Sequence, residues 1–310
     1  MTTRRPLLAV ALLLAAPARA AETAHPGHDG LEAVELEHGG RPRRAWLKAP
    51  PKLGKRRPIV LLLTGRQGIE SLRKLTRRRF EELGLRDGAL VVYPEPTYNI
   101  WNDGRGVKTF QSHMEKVDDV GYLRALVKRL AARHGGDRRR VYAVGWSNGA
   151  LMSKRLACEP AFDVKGVAAV GGTLALNRAS RCRPKGAPSL MTVTGDLDPY
   201  FSWKEGLVRI GPFEFGRIIS PEKDLALWRE LLGCGRLVRS TLPDADPDDG
   251  TTVRLSSARC RDGAALRFYA VKGGGHTWPG GEPWELPTLT GPGNGDFDAA
   301  DAAWKLFFPR

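Results

Sequence analysis

The chain has 310 residues and a formal net charge of +15 at pH 7, from 49 lysines and arginines against 34 aspartates and glutamates. Its length allows a sizeable core, as two average domains or as one large α/β domain. The basic residues are scattered, with short arginine runs at 77–79 and 138–140, and no aromatic residues interleave with them at base-stacking spacing. This pattern favours an arginine-rich solvated surface, and no nucleic-acid partner is expected.

The N-terminus has the three parts of a secretory signal. Arg4 and Arg5 form a charged start, 7–16 is an apolar run, and Ala18-Arg19-Ala20 resembles a cleavage site. We therefore predict a signal peptide at 1–20 and a mature chain from residue 21. No later segment is long and apolar enough to span a bilayer, so the expectation is a protein without a membrane anchor, exported to the periplasm or the medium.

From residue 31 onward, segments with strand character alternate with segments of helical periodicity. Predicted strands lie at 31–37, 43–49, 58–64, 88–93, 141–144, 164–171, 189–194, 251–255 and 266–271. Helices are predicted at 117–134, 150–157, 221–232 and 298–308, and 80–85 as the end of another. Such alternation predicts an α/β fold with a mainly parallel sheet covered by helices on both faces, and residues 21–310 are interpreted as a single domain. The loops at 97–116, 199–218 and 279–297 should shape any pocket.

The stretch Gly145-Trp146-Ser147-Asn148-Gly149 separates the strand at 141–144 from the helix at 150–157. A strand, a sharp turn of the form Gly-x-Ser-x-Gly and a helix together make a nucleophile elbow. Ser147 is therefore the candidate nucleophile, and the alternative is an ordinary tight turn. A side chain at Gly145 or Gly149 would clash with the neighbouring strand or helix.

A serine needs a histidine to accept its proton and a carboxylate to orient that histidine. In proteins that use this elbow the acid and then the histidine follow the serine, and His276 is the only histidine downstream of Ser147. Asp196 and Asp198 both follow the strand at 189–194. Asp198 is preferred because it lies further past the strand end, whereas Asp196 could close the turn.

A second requirement is an oxyanion hole, which would combine the backbone N–H of Asn148 with one from the loop after the strand at 58–64. Arg66 is the preferred second donor and Gln67 the alternative. Asp118 and Asp119 begin a helix, where a structural role is favoured over catalysis. This chemistry needs no metal and no organic cofactor.

The four cysteines are Cys158, Cys182, Cys234 and Cys260. None forms a C-x-x-C pair, which argues against zinc and thioredoxin-like chemistry. An even number in an exported chain indicates disulfides, with three possible connectivities. The pairs Cys158–Cys182 and Cys234–Cys260 are favoured because each closes a loop of moderate length.

Several segments together resemble the polyhydroxybutyrate depolymerase-like esterases, which include feruloyl and acetyl-xylan esterases of the α/β-hydrolase superfamily. The matching pieces, in order, are LLLTGRQG, VVYPEP, WNDG, VDDVGYLRALV, VYAVGWSNGALM, TGDLDP and GGGHTWPGG. The resemblance implies an α/β-hydrolase fold with Ser147 as nucleophile, Asp198 as acid and His276 as base. Members usually carry His-Gly where this chain has Thr64-Gly65, which bears on the shape of the oxyanion loop.

The resemblance also suggests substrates. Hydroxyalkanoate oligomers, feruloyl esters and acetyl esters are expected, as small or oligomeric molecules, because no linker leads to a separate polymer-binding module. Trp101 and Trp278 are candidates for the pocket walls, with ordinary packing as the alternative.

The competing functions are a serine peptidase on the same fold and a non-catalytic envelope binding protein on a hydrolase scaffold. The oligomeric state is left open.

Overall fold

A computed structural model describes residues 27–51, 54–204, 206–283 and 287–309. The predicted signal peptide at 1–20 lies outside the described residues. Within them, none of the helices is both long enough and apolar enough to cross a membrane.

The described strands form a ten-stranded sheet and a separate two-stranded hairpin. Their bounds are β1 (Glu32–His38), β2 (Arg41–Lys48), β3 (Arg57–Leu63), β4 (Leu90–Pro94), β5 (Gly136–Trp146), β6 (Gly166–Val170), β7 (Ser189–Gly195), β8 (Leu207–Ile210), β9 (Phe213–Arg217), β10 (Val238–Thr241), β11 (Thr252–Arg259) and β12 (Ala265–Lys272). The large sheet has the order β1-β2-β4-β3-β5-β6-β7-β12-β11-β10. The six strands from β4 to β12 run parallel, and antiparallel strands flank them on both sides.

The described helices lie between these strands, except the last two, which follow β12. Their bounds are α1 (Gly68–Leu75), α2 (Arg79–Asp87), α3 (Gln111–Met114), α4 (Asp119–His134), α5 (Asn148–Cys158), α6 (Leu176–Ala179), α7 (Pro221–Leu231), α8 (Pro287–Thr290) and α9 (Ala299–Phe307). The mainly parallel sheet and its helices confirm the predicted fold class.

Two hydrophobic cores cover the two faces of the sheet. Strand β3 is buried along its whole length, and its residues alternate between the cores because successive side chains point to opposite faces. Ile59 and Leu61 pack in the core that contains residues of α4 and α5, whereas Val60 and Leu62 pack in the core that contains residues of α1, α2 and α9. The continuous apolar run that predicted this strand is thus explained by burial on both sides.

All predicted strands are present, but the sequence reading missed several elements. Helix α1, the hairpin β8–β9 and strand β10 were not expected. The segment at 80–85 was interpreted as the end of one helix, whereas it lies inside α2, which is separated from α1 by Arg77 and Arg78 in left-handed backbone conformation.

Both favoured disulfides are present. Cys158, the last residue of α5, is bonded to Cys182, and Cys234, which follows α7, is bonded to Cys260, which follows β11. The predicted pairing is confirmed.

Candidate active site

Ser147 occupies the tight turn between β5 and α5. Its φ of 58° and ψ of −122° are strained for a residue with a side chain, and its N–H donates to the carbonyl of Val170 on β6 at 3.0 Å. A Cβ at Gly145 would lie 2.0 Å from the Gly149 oxygen, and one at Gly149 would lie 1.9 Å from the Leu63 oxygen. The expected clash at both positions is therefore real, and it explains the glycines on either side of the serine.

His276 lies beyond the end of β12 and is held by rings on three sides. Trp146 and Phe201 stack against the imidazole with centroid distances of 5.5 and 5.1 Å, and Tyr200 meets it edge-on at 5.1 Å. The backbone N–H of His276 donates to the carbonyl of Thr290 at 2.6 Å. These contacts fix the ring in one orientation, with its side chain only 4% exposed.

The two candidate aspartates differ in what they contact. Asp198 Oδ2 lies 2.7 Å from His276 Nδ1, and its Oδ1 accepts the backbone N–H groups of Tyr200 and Phe201. Asp196 instead accepts the backbone N–H of Gly273 at 2.6 Å. Asp198 is therefore the carboxylate that meets the histidine, and Asp196 links the segment after β7 to the segment after β12.

The residues after three parallel strands meet because the carboxyl ends of such strands lie at one edge of the sheet. One cavity of about 260 Å³ at this edge is lined by residues from all three segments: Ser147, Asn148, Arg66, Gln67 and His276. Asn148 is the first residue of α5, so its N–H has no partner within the helix. The remaining walls are mostly apolar and come from Ile100, Phe110, Phe201, Val208, Ile210 and Phe215, together with Arg105 and Tyr200.

A buried polar network lies on the Asn148 side of the elbow. The Asn148 Oδ1 accepts the backbone N–H of Trp101 at 2.7 Å, and its Nδ2 donates to Asp103 Oδ2 at 2.6 Å and to the Trp101 carbonyl at 3.2 Å. The Trp101 indole N–H donates to the Thr64 carbonyl at 3.1 Å. The network thereby ties the residue after the serine to the loop after β3, which are the two sides of the expected oxyanion hole.

Charge is balanced inside this network by Arg105. Its guanidinium binds Asp103 with a shortest distance of 2.7 Å, and both side chains are buried. Although burial alone would raise it, the pKa of Asp103 is held below its usual value by Arg105.

His113 supports the same loop in its neutral form. Its Nδ1 accepts the backbone N–H of Val107, which leaves Nε2 to donate to the Trp101 carbonyl, both at 3.0 Å. Burial lowers the pKa of this imidazole. The segment WNDG was noticed in the sequence, but not its partners, which include Asn148, 47 residues from Trp101, and Arg155, 53 residues from Asn102.

The two tryptophans expected in the pocket walls lie in different surroundings. Trp101 is fully buried and does not line the cavity that contains Ser147, so for this residue the expectation is corrected to one of support. Trp278 packs edge-on against Phe80 and lines a neighbouring cavity, which His276 also borders.

Other polar residues secure the helices beside the site. Asp118 caps α4 by accepting the N–H of Gly121, and the buried Asp119 forms an ion pair with Arg43 at 2.8 Å. Lys154 of α5, which the sequence reading did not single out, forms a buried ion pair with Asp224 of α7. Among the described residues there is no group of three or more His, Cys, Asp or Glu side chains that could hold a metal ion.

This sheet and its elbow are those of the α/β-hydrolase fold. The sequence matches no protein-family model. It is 29% identical over 283 residues to the putative esterase NocK of Nocardia uniformis subsp. tsuyamanensis, a match that covers 87% of this chain and 80% of that protein. It is 23% identical over 198 residues to feruloyl esterase B of Piromyces equi, which covers 62% of this chain but only 34% of that larger protein.

A solved structure supports the fold independently. The acetyl xylan esterase from Aspergillus awamori superposes with a TM-score of 0.52 at 14% identity, covering 76% of this chain and 89% of that one. Both sequence relatives and this structure are named as esterases, NocK as a putative one. The expected relationship to esterases of the α/β-hydrolase type is therefore confirmed.

Proposed function

We propose that the protein is an exported serine esterase that hydrolyses carboxylic esters through Ser147, His276 and Asp198. The observation that carries this proposal is the 2.7 Å contact between Asp198 and His276 at a cavity that Ser147 also lines. The similarity to esterases supports the reaction class. The triad assignment rests on the geometry and on the chemistry that these three residue types perform together.

The first half of the reaction forms an acyl-enzyme. Asp198 holds the Nδ1–H of His276, so Nε2 is the nitrogen that accepts the Ser147 proton as Oγ attacks the ester carbonyl. The backbone N–H groups of Asn148 and Arg66 stabilise the oxyanion of the tetrahedral intermediate. As the intermediate collapses, the alcohol leaves with the proton from Nε2.

The second half repeats these roles with water as nucleophile. His276 takes a proton from the water, which attacks the acyl carbonyl, and the carboxylic acid leaves as Ser147 regains its proton. The buried network around Asn148 keeps the oxyanion donors in place in both halves. No step requires a metal or a cofactor.

The cavity supports a preference for small esters. A cavity of about 260 Å³ with apolar walls beside Ser147 fits a short or aromatic acyl group rather than a long polymer chain. Hydroxyalkanoate oligomers, feruloyl esters and acetyl esters are the substrates we propose. The two disulfides support export, since such bonds persist in oxidising compartments.

The test is hydrolysis of p-nitrophenyl esters from acetyl to octanoyl, with methyl ferulate and hydroxybutyrate oligomers alongside. Ser147→Ala should lower kcat by at least about a thousandfold while the protein remains folded. Ser153→Ala is the matched control, because Ser153 lies on the same helix and donates only to the Ala150 carbonyl. A folded wild type that hydrolyses none of these esters would contradict the proposal.

A further inference from the structure

Two arginines line the cavity around Ser147, and both guanidinium groups lie over the Phe110 ring, but they differ in their ionic partners. Arg105 is buried, and its charge is matched by Asp103. Arg66 is exposed, and its guanidinium lies 5.8 Å from the centroid of the Phe110 ring. Within the described residues no carboxylate forms an ion pair with Arg66.

The lining of the cavity leaves this charge uncompensated. None of the described residues that line it is an aspartate or a glutamate. A concave site with one unmatched cation and apolar walls raises the local concentration of anionic ligands. The contact with Phe110 involves the face of the ring and uses none of the guanidinium N–H donors, so these donors can bind a ligand.

We propose that Arg66 determines specificity by binding a carboxylate carried by the substrate, so that the preferred substrates are esters with a free acid group. This inference rests on the proposed function and adds the chemical class of the substrate. The backbone N–H of Arg66 is assigned to the oxyanion hole, so its side chain branches from the residue that meets the reacting carbonyl. A guanidinium matches a carboxylate with two parallel hydrogen bonds, which a lysine cannot reproduce.

The experiment compares charged and neutral esters of equal size in two arms. In the acyl arm the pair is mono-4-nitrophenyl adipate and the analogue whose distal carboxylate is a carboxamide. In the alcohol arm the pair is the acetyl ester of 3-hydroxybenzoate and that of 3-hydroxybenzamide. The readout is the ratio of kcat/KM for the charged ester to that for its neutral partner.

We expect this ratio to fall by roughly three- to fivefold in Arg66→Gln in at least one arm, the size typical of an exposed ion pair. Arg66→Lys should retain part of the preference, and 0.5 M NaCl should weaken it in the wild type. Arg124→Gln is the matched control, because it removes the same charge from an exposed position on α4 outside the cavity. The arm that responds identifies which side of the ester carries the acid.

Ratios that stay unchanged in Arg66→Gln in both arms would overturn the inference. If the folded wild type hydrolyses none of these esters, the proposed function fails, and binding decides the inference separately. Calorimetry with Ser147→Ala should then show tighter binding of the charged ester than of its carboxamide in at least one of the two pairs, and this difference should disappear when Arg66→Gln is added. Equal binding within both pairs by Ser147→Ala would reject the carboxylate site.

Discussion

The cavity around Ser147 has two walls that are built differently. The anchored wall, residues 97–116, is tied to Asn148 and Thr64 through Trp101 and to a buried ion pair through Asp103. The hairpin wall, residues 206–218, contains β8 and β9, and Phe213 directly after its turn is 66% exposed. Phe110 and Phe215 stack across the two walls with a centroid distance of 5.2 Å.

The two walls are therefore suited to different tasks. Buried polar groups with matched partners fix a geometry, because any displacement leaves a donor or charge unsatisfied. Apolar side chains on a short exposed hairpin can change shape at low cost. We therefore expect the anchored wall to govern stability and kcat, and the hairpin wall to govern which acyl groups fit.

The largest effect should come from Asp103→Asn in the anchored wall. This change leaves the charge of the buried Arg105 unpaired, which should cost about 3–5 kcal/mol in the free energy of unfolding measured with urea. Adding Arg105→Gln removes that charge and should recover part of the loss. If Asp103→Asn alone lowers the free energy of unfolding by less than about 1 kcal/mol, the proposed distinction between the walls is wrong.

In the hairpin wall, Phe215→Ala should change the substrate profile more than stability. Loss of the ring enlarges the cavity, so the preferred p-nitrophenyl ester should shift to a longer acyl chain, at a cost of about 1–2 kcal/mol because Phe215 is only partly buried. Phe213→Ala is the control, since that exposed ring does not line the cavity. The same profile for both variants would show that the hairpin wall does not select the acyl group.

His113 should make the anchored wall sensitive to acid. Because burial lowers its pKa in the folded state, the unfolded chain takes up the proton first as the pH falls below about 6.5. His113 therefore contributes stability above that pH and loses it at lower pH, with a slope of at most about 1.4 kcal/mol per pH unit. The free energy of unfolding, measured with urea at pH 7, 6 and 5, should decline less steeply in His113→Gln than in the wild type. An unchanged decline would contradict this role.

The smallest effect is expected at Thr64. Its hydroxyl is buried and, within the part of the chain that the structure describes, has no hydrogen-bond partner. Thr64→Val should therefore be neutral or stabilising by about 1 kcal/mol, with esterase activity retained, because the Thr64 carbonyl still accepts the Trp101 indole N–H. A clear loss of activity would mean that the threonine hydroxyl itself shapes the oxyanion loop.

The parts of the fold and the site that could be predicted from the sequence are those that depend on residues close together in the chain. Strand β3, the elbow at Ser147 and helix α5 carry local patterns, since burial on two faces and a strained turn each restrict the residue types nearby. Spacing also favoured the two disulfides that are present over the other two connectivities. His276 could be singled out as the candidate base because it is the only histidine after the serine in the sequence.

Contacts between residues far apart in the chain could not be predicted from such local patterns. Spacing alone left Asp196 and Asp198 open, because their difference lies in the partners that the ends of β7 and β12 bring to each. Trp101 was expected in the pocket because nothing nearby in the chain shows that Asn148 fixes it in the interior. The hairpin β8–β9 did leave a signal: Gly211-Pro212 is a two-residue turn between apolar segments, with Gly211 at a positive φ.

The most direct test of the central assignment is labelling with a fluorophosphonate probe, followed by mass mapping of the modified peptide. The probe reacts with a serine that a neighbouring histidine has activated. We predict a single phosphonylated residue, Ser147, in the folded wild type and no label in Ser147→Ala. A folded wild type that stays unlabelled, or that carries the label on another serine, would show that the Ser147, His276 and Asp198 assignment is wrong.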